Sequence, residues 1–180
     1  MTDRYTRTAI TLHWIIAFLI FTAFPLGAYM HDLPLSPDKL RLYSYHKWIG
    51  VTIFLLALTR ISWRTTHRPP PLLDAMPQWE KFAAHTVHYL LYVLILAIPL
   101  SGWLMSSAKG VQTVWFGLLP LPDLVSKNKE LGDSLKAVHE SLNFLLFGLV
   151  LAHIGGALKH QFIEHDDTLA RMLPFLRNKS

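Results

Sequence analysis

Four long runs of apolar residues dominate the chain, and polar or proline-rich segments separate them. The runs cover residues 8–30, 40–63, 82–106 and 134–160. A helix of about 20 residues spans the roughly 30 Å hydrocarbon core of a bilayer, so each run is long enough to cross a membrane. The pattern predicts an all-α protein: an integral membrane four-helix bundle whose chain forms one domain over residues 1–180.

The segments between the runs support this reading. The first run is too long for the apolar region of a signal peptide, carries His13 and lacks an A-x-A cleavage site, so we expect a retained helix. Prolines at 34 and 37 predict a short turn, and the proline-rich stretch 67–77 predicts an extended linker. Segment 109–132 is the longest connection, and we expect it to lie on the membrane surface.

Composition narrows the class of protein further. Hydrophobic residues make up 52% of the chain and charged residues only 16%, whereas soluble domains are about 25% charged. The chain has no cysteine, which excludes disulfides, iron–sulfur clusters and covalent haem attachment through C-x-x-C-H. The net charge of +5 does not indicate nucleic acid, because Lys and Arg lie in the loops of a membrane protein and set its orientation.

The distribution of these basic residues predicts which way the chain crosses the membrane. In the four-span arrangement, ten of the 17 Lys and Arg residues fall on the side that carries both termini. Loops rich in Lys and Arg stay in the cytoplasm. We therefore expect a multi-pass membrane protein with both termini in the cytoplasm.

The histidines are the main clue to function. The chain contains ten of them, and an ionisable side chain inside a membrane span is costly and marks a functional position by default. A single buried histidine can also simply form a hydrogen bond to a neighbouring helix. The histidines within the predicted spans, or at the end of one, are His13, His46, His85, His88, His139, His153 and His160.

His139 and His153 give the sharpest spacing. They are fourteen residues apart on one predicted helix. At about 100° and 1.5 Å per residue, both face the same side and stand roughly 21 Å apart along the axis. One potential ligand therefore lies near each face of the bilayer.

Each of these histidines has a candidate partner at its own depth, because successive helices alternate in direction. His13 matches His153 near the cytoplasmic face, and His46 matches His139 near the outer face. The four residues predict two bis-histidine sites, each holding one b-type haem in the bundle core. A single zinc site is disfavoured because the pairs lie too far apart and no cysteine or carboxylate joins either pair. An assignment with His88 in place of His13 stays open.

Two further residues repeat the fourteen-residue spacing. Arg60 is fourteen residues after His46, so it faces the inner level, where it could pair with a haem propionate. Gly27 is fourteen residues after His13 and faces the outer level without a side chain in the way.

Taken together, these residues resemble the bacterial cytochrome b561 family over essentially the whole chain. The resemblance implies haem ligation by His13 with His153 and by His46 with His139, and it implies a ubiquinone site. A member of that family is a superoxide oxidase, which takes electrons from superoxide at the periplasmic face and reduces ubiquinone. The matching elements are Arg4-Tyr5-x-Arg7, Leu12-His13-Trp14, His46, His85-x-x-His88, His139 with His153, Asp167-Thr168-Leu169 and Arg171-Met172.

The remaining polar residues receive roles from this scheme. His88, His85 and His160 lie towards the cytoplasmic side, where they could bind a quinone carbonyl or deliver its protons.

Arg41, Lys47 and Lys136 flank the outer pair and could draw superoxide to an exposed haem edge. The alternative for these three cations is contact with lipid headgroups.

Three functions therefore remain in view. The first is a superoxide:ubiquinone oxidoreductase that passes electrons through two haems. The second is a quinone-linked cytochrome b subunit serving a partner dehydrogenase, hydrogenase or soluble redox protein, which the lack of any nucleotide-binding glycine motif also suits. The third is a small non-redox transporter with buried histidines.

Overall fold

Four long helices form the chain in the computed structural model, which describes residues 4–73 and 76–176. They are α1 (Arg7–Asp32), α2 (Pro37–Thr66), α3 (Gln78–Ala108) and α4 (Lys129–Phe162). Each encloses one of the predicted apolar runs, so the helical bundle is confirmed. Each also extends beyond its run, and α4 starts at Lys129 rather than near residue 134.

Polar capping residues explain the earlier starts. The side chains of Thr6, Ser36 and Asn128 each accept a hydrogen bond from a backbone N–H of the first turn of α1, α2 and α4, respectively. These caps satisfy N–H groups that have no partner within the helix. Because the capping turns are polar, hydrophobic pattern alone places these helix starts too late.

Three of the helices are long and apolar enough to cross a membrane, namely α1, α3 and α4. The second helix falls short of that level, although its apolar run was expected to form a fourth span. It carries polar residues such as His46, Lys47 and Arg60. With 30 residues it is about 45 Å long, and it packs against both α1 and α3.

The bundle consists of two helix pairs. The α1 helix packs mainly on α2, and α4 packs mainly on α3, while contacts between α2 and α3 join the pairs. Ala57, Leu94, Ile98 and Leu146 belong to the buried cluster at the centre. Across the middle, α1 and α4 meet through ring contacts, including the stacked pair Phe24 and Phe147.

The segment between α3 and α4 folds against one end of the bundle, which we call the hairpin end. Strands β1 (Val114–Trp115) and β2 (Leu119–Pro120) pair antiparallel. The indole N–H of Trp48 donates to the Val114 carbonyl at 2.7 Å, so the hairpin is fixed to α2.

The opposite end holds the start of α1 and the residues after α4, and we call it the terminal end. Two short 3₁₀ turns, Leu169–Arg171 and Pro174–Leu176, follow α4. Trp14 ties them to α1 by donating its indole N–H to the Met172 carbonyl at 2.9 Å.

Candidate functional site

Near the hairpin end, the structure brings His46 of α2 and His139 of α4 together. Their ring centres are 6.3 Å apart and the ring planes are inclined by 80°. We call this pair the hairpin site. It was predicted from matched depth alone, and the fold brings the two rings together across the bundle with their planes nearly perpendicular.

The backbone of α3 fixes the orientation of the His139 ring. Its Nδ1 lies 3.0 Å from the Ile98 carbonyl oxygen and 3.0 Å from the Ser101 hydroxyl. A carbonyl can only accept, so Nδ1 carries the proton, and Nε2 keeps a lone pair free for a metal. Metal-binding histidines are commonly held in this way by their second nitrogen.

Two glycines lie against the backs of the hairpin-site rings. A Cβ at Gly27 would be 3.1 Å from Cε1 of His46, and a Cβ at Gly102 would be 3.1 Å from Cε1 of His139. Gly27 therefore lies at the predicted level, but it makes room for the imidazole itself. His46 Nδ1 is buried and has no hydrogen bond of acceptable geometry among the described residues, although it faces the backbone of Ala23.

Towards the terminal end, His153 of α4 has two histidine neighbours. Its ring centre is 6.1 Å from that of His13 and 5.1 Å from that of His88, with plane angles of 69° and 76°. We call these three residues the terminal site. Arg60 lies within electrostatic range of His13 and His153.

Hydrogen bonds hold the Arg60 side chain in place. Its Nη1 donates to the Ala9 carbonyl at 2.7 Å and its Nε donates to the Tyr92 hydroxyl at 3.1 Å. The guanidinium therefore stays at the level of the terminal site, where the sequence predicted a partner for a haem propionate.

The ring distances can be compared with what a bis-histidine haem requires. Two imidazoles on opposite sides of one metal, with bonds of about 2.0–2.1 Å and ring centres about 1.1 Å behind the nitrogens, have centres about 6.3 Å apart. The distances of 6.3 Å for His46–His139 and 6.1 Å for His13–His153 fit this requirement. The 5.1 Å between His88 and His153 is too short, which favours His13 over His88.

His160 lies in a cluster of carboxylates beyond the terminal site. Its Nδ1 is 2.7 Å from Asp166 and 2.5 Å from Glu164, and its Nε2 is 4.0 Å from Glu80. Burial raises the pKa of Asp166, but hydrogen bonds from Thr168 and His160 outweigh this effect and hold it below its usual value. The cluster could accept or release protons, as a group near a quinone would need to do.

Glu80, His160 and Glu164 are also close enough to share a metal ion. However, Lys159 donates to both carboxylates, at 2.7 Å to Glu80 and 2.6 Å to Glu164. The ammonium group of Lys159 therefore already balances negative charge where a metal ion would bind. His85, the remaining quinone candidate, lies exposed on α3 one turn before His88.

The three cations predicted to steer superoxide all lie towards the hairpin end. Lys136 is 3.6 Å from Glu140 and Arg41 is 3.9 Å from Asp38. Lys47 donates to the Val111 carbonyl at 3.1 Å and so helps to fix the segment that leads into the hairpin.

Sequence reasoning missed the α3 residues around His139 and the acids around His160. The dipeptide Ser101-Gly102 in an apolar helix was the available signal for the first group. The acids gave no signal, because Glu80 and Asp166 are far from His160 in sequence or beyond the end of its helix.

Comparison with known proteins places these features in context. The model of the prokaryotic cytochrome b561 family matches residues 4–175. Cytochrome b561 homolog 2 of Escherichia coli K12 is 33% identical over 95% of this chain and 92% of its own length. Cytochrome b561 homolog 1 of the same organism is 29% identical over 96% of this chain and 98% of its own length. A probable superoxide oxidase, CybB, of Yersinia pestis is 28% identical over 97% of this chain and 98% of its own length.

Proposed function

Since the chain belongs to the prokaryotic cytochrome b561 family, whose members are haem b-binding membrane electron-transfer proteins, we propose that it is a superoxide:ubiquinone oxidoreductase. In this proposal it takes electrons from superoxide at the periplasmic face, which the hairpin end would occupy. It reduces ubiquinone towards the terminal end, on the cytoplasmic side of the bacterial inner membrane.

The observation that carries the proposal is the pair of histidine sites joined by α4. His46 with His139, and His13 with His153, have the ring separations that a metal between two imidazoles requires. The separation of fourteen residue steps from His139 to His153 corresponds to about 21 Å along the helix. Two haems b held there would lie at two depths of the membrane, as transfer of electrons across it demands.

The chemistry of such sites suits one-electron exchange. A haem whose iron carries two histidines supplies electron transfer and has no open position for an oxygen ligand. Two superoxide ions each lose one electron and leave as O₂. One ubiquinone gains those two electrons and two protons and becomes ubiquinol, so atoms and charges balance.

The chain's own residues would serve the two substrates at opposite ends. Lys136, Arg41 and Lys47 are the candidates for drawing an anion to the hairpin end. Lys136 and Arg41 each face a carboxylate, of Glu140 and Asp38, which reduces their charge.

At the terminal end, His88, His85 and His160 are the candidates for binding the quinone carbonyls or supplying their protons. The carboxylates 2.5–2.7 Å from His160 Nδ1 support a proton-handling role for that residue.

The similarity to a probable superoxide oxidase of Yersinia pestis supports this substrate. The alternative is a quinone-linked cytochrome b subunit that serves a redox partner. Exposed apolar side chains on the hairpin favour it, since Phe116, Leu118 and Leu119 are 53%, 86% and 53% exposed and could meet a partner protein.

Purified oxidised protein in detergent, mixed with an enzymatic superoxide source and ubiquinone, separates these functions. We expect fast haem reduction and quinol formation, both abolished by superoxide dismutase. A protein with two haems that quinol or dithionite reduces, but superoxide does not, would instead be the partner-dependent carrier. A colourless protein would contradict both and indicate the transporter.

A further inference from the structure

The end of α2 at the terminal end concentrates positive charge. Arg60, Arg64 and Arg68 line one narrow cleft together with Tyr5 and Tyr92, and no carboxylate of the described residues lines it. The guanidinium groups of Arg60 and Arg64 both lie over the ring of Tyr92, at 5.9 and 5.6 Å from its centre. Like charges one helical turn apart destabilise a helix, so an anion in this cleft would relieve their repulsion.

The other polar groups of the cleft suit an oxyanion. Arginine presents a planar set of donors that matches phosphate oxygens in pairs. Burial raises the pKa of Tyr5, and the nearby arginines Arg64 and Arg60 oppose this rise. Its hydroxyl is therefore a neutral donor at physiological pH and would add a hydrogen bond without adding negative charge.

An apolar groove begins beside the cleft. This groove is shallow and largely open, its lining residues all belong to α2, and it runs from Leu55 and Leu58 to Thr66. Trp63 lines both the groove and the cleft, and its indole donates to the Thr6 hydroxyl at 2.9 Å. The eleven residue steps from Leu55 to Thr66 correspond to about 16.5 Å, close to half of the roughly 30 Å hydrocarbon core.

We propose that the arginine cleft and the adjoining α2 groove form a binding site for one anionic phospholipid, with its phosphate at Arg64 and Arg68 and an acyl chain along Leu55 and Leu58. The cleft lies at one end of the groove, as a headgroup lies at one end of its acyl chain. Basic pockets at the ends of membrane helices bind acidic lipid headgroups by this chemistry. Arg60 borders both this cleft and the terminal site, but the proposed phosphate contacts, Arg64 and Arg68, belong to neither histidine pair, and the proposal does not depend on the proposed reaction.

The test compares lipids on the haem-loaded protein in detergent. Dioleoylphosphatidylglycerol and zwitterionic dioleoylphosphatidylcholine are titrated separately, and the rise in apparent melting temperature is followed. We expect saturable stabilisation by the anionic lipid at concentrations about tenfold or more below those of the zwitterionic lipid. The variant Arg64→Gln/Arg68→Gln removes two basic side chains near the membrane surface. It should need about tenfold or more of the anionic lipid to reach the same stabilisation.

Matched variants distinguish a built site from general surface charge. Arg4→Gln/Arg7→Gln removes the same charge from exposed positions at the same end and should keep the response. Arg64→Lys/Arg68→Lys keeps the charge but loses the paired donors, so its response should be intermediate. If the Arg4/Arg7 variant loses as much as the Arg64/Arg68 variant, the effect is only surface charge and the proposal is wrong.

Two further outcomes would overturn the choice of ligand. Equal stabilisation by inorganic phosphate would show that a small anion fills the cleft without an acyl chain. Loss of haem from Arg64→Gln/Arg68→Gln with an unchanged response to lipid would show that these arginines hold a haem propionate.

Discussion

Ser101 offers a direct test of how α3 controls the hairpin site. Its hydroxyl lies 3.0 Å from His139 Nδ1 and donates to the Ile98 carbonyl at 2.8 Å. A second hydrogen bond accepted from Nδ1 makes an imidazole a stronger electron donor to a metal. That favours ferric iron, so the midpoint potential of a haem at this site should rise in Ser101→Ala.

The size of the shift follows from the strength of one hydrogen bond. A neutral hydrogen bond contributes about 0.5–1.5 kcal/mol net. For a one-electron couple, about 1.4 kcal/mol corresponds to 59 mV. The potential should therefore rise by at most about 20–60 mV. The Ile98 carbonyl, 3.0 Å from Nδ1, remains as an acceptor, so we expect the orientation of the ring and the haem content to be retained.

Spectroelectrochemical titration of the two haem components measures this change. Ser44→Ala is the control, because Ser44 also bonds back to its own helix, at the Leu40 carbonyl, but contacts neither histidine pair. An unchanged or lowered hairpin-site potential in Ser101→Ala, or an equal rise in Ser44→Ala, would refute the reasoning.

Four further changes probe the ligand scheme by haem content and optical spectrum. His153→Ala should remove the terminal haem and leave the hairpin haem, and retention of both would contradict the scheme. His13→Ala should have the same effect, whereas His88→Ala should keep both haems, since its ring is too close to His153; the reverse result would assign His88 as the ligand. Gly102→Val should displace the His139 ring and lower hairpin haem content, while Gly148→Val, with open space around its Cβ position, should retain it.

The sequence predicted the bundle and its histidine pairs for a simple physical reason. Membrane helices must be long and apolar, and fixed helical geometry converts the spacing of His139 and His153 into direction and depth. Because successive helices alternate in direction, His13 is then expected at the level of His153 and His46 at the level of His139. None of these steps requires knowledge of which helices touch.

The details that depend on helix contacts could not be predicted in this way. The bonds of His139 to Ile98 and Ser101 exist because α3 packs on α4 at one rotation and height, which periodicity does not determine. The packing of Gly27 against the His46 ring likewise depends on how closely α1 approaches α2. The acids around His160 come together only because the chain turns back after α4.

The unequal surroundings of the two sites predict the direction of favourable electron transfer. The Arg60 guanidinium is held in the bundle by Ala9 and Tyr92 and acts on His13 and His153. A half-buried positive charge is weakly screened and favours the reduced site.

At the hairpin site, Lys136 is partly neutralised by Glu140, and solvent screens such exposed pairs. The bonds at His139 Nδ1 also favour the oxidised site. We therefore expect the hairpin haem to have the lower midpoint potential, so that electrons pass downhill towards the terminal end.

Arg60→Gln should lower only the terminal potential, by an amount on the order of tens of millivolts. The His153→Ala protein is expected to keep only the hairpin haem, so its titration shows which of the two haem signals belongs to which site. A terminal potential below the hairpin potential in the unmodified protein would show that this ordering is wrong.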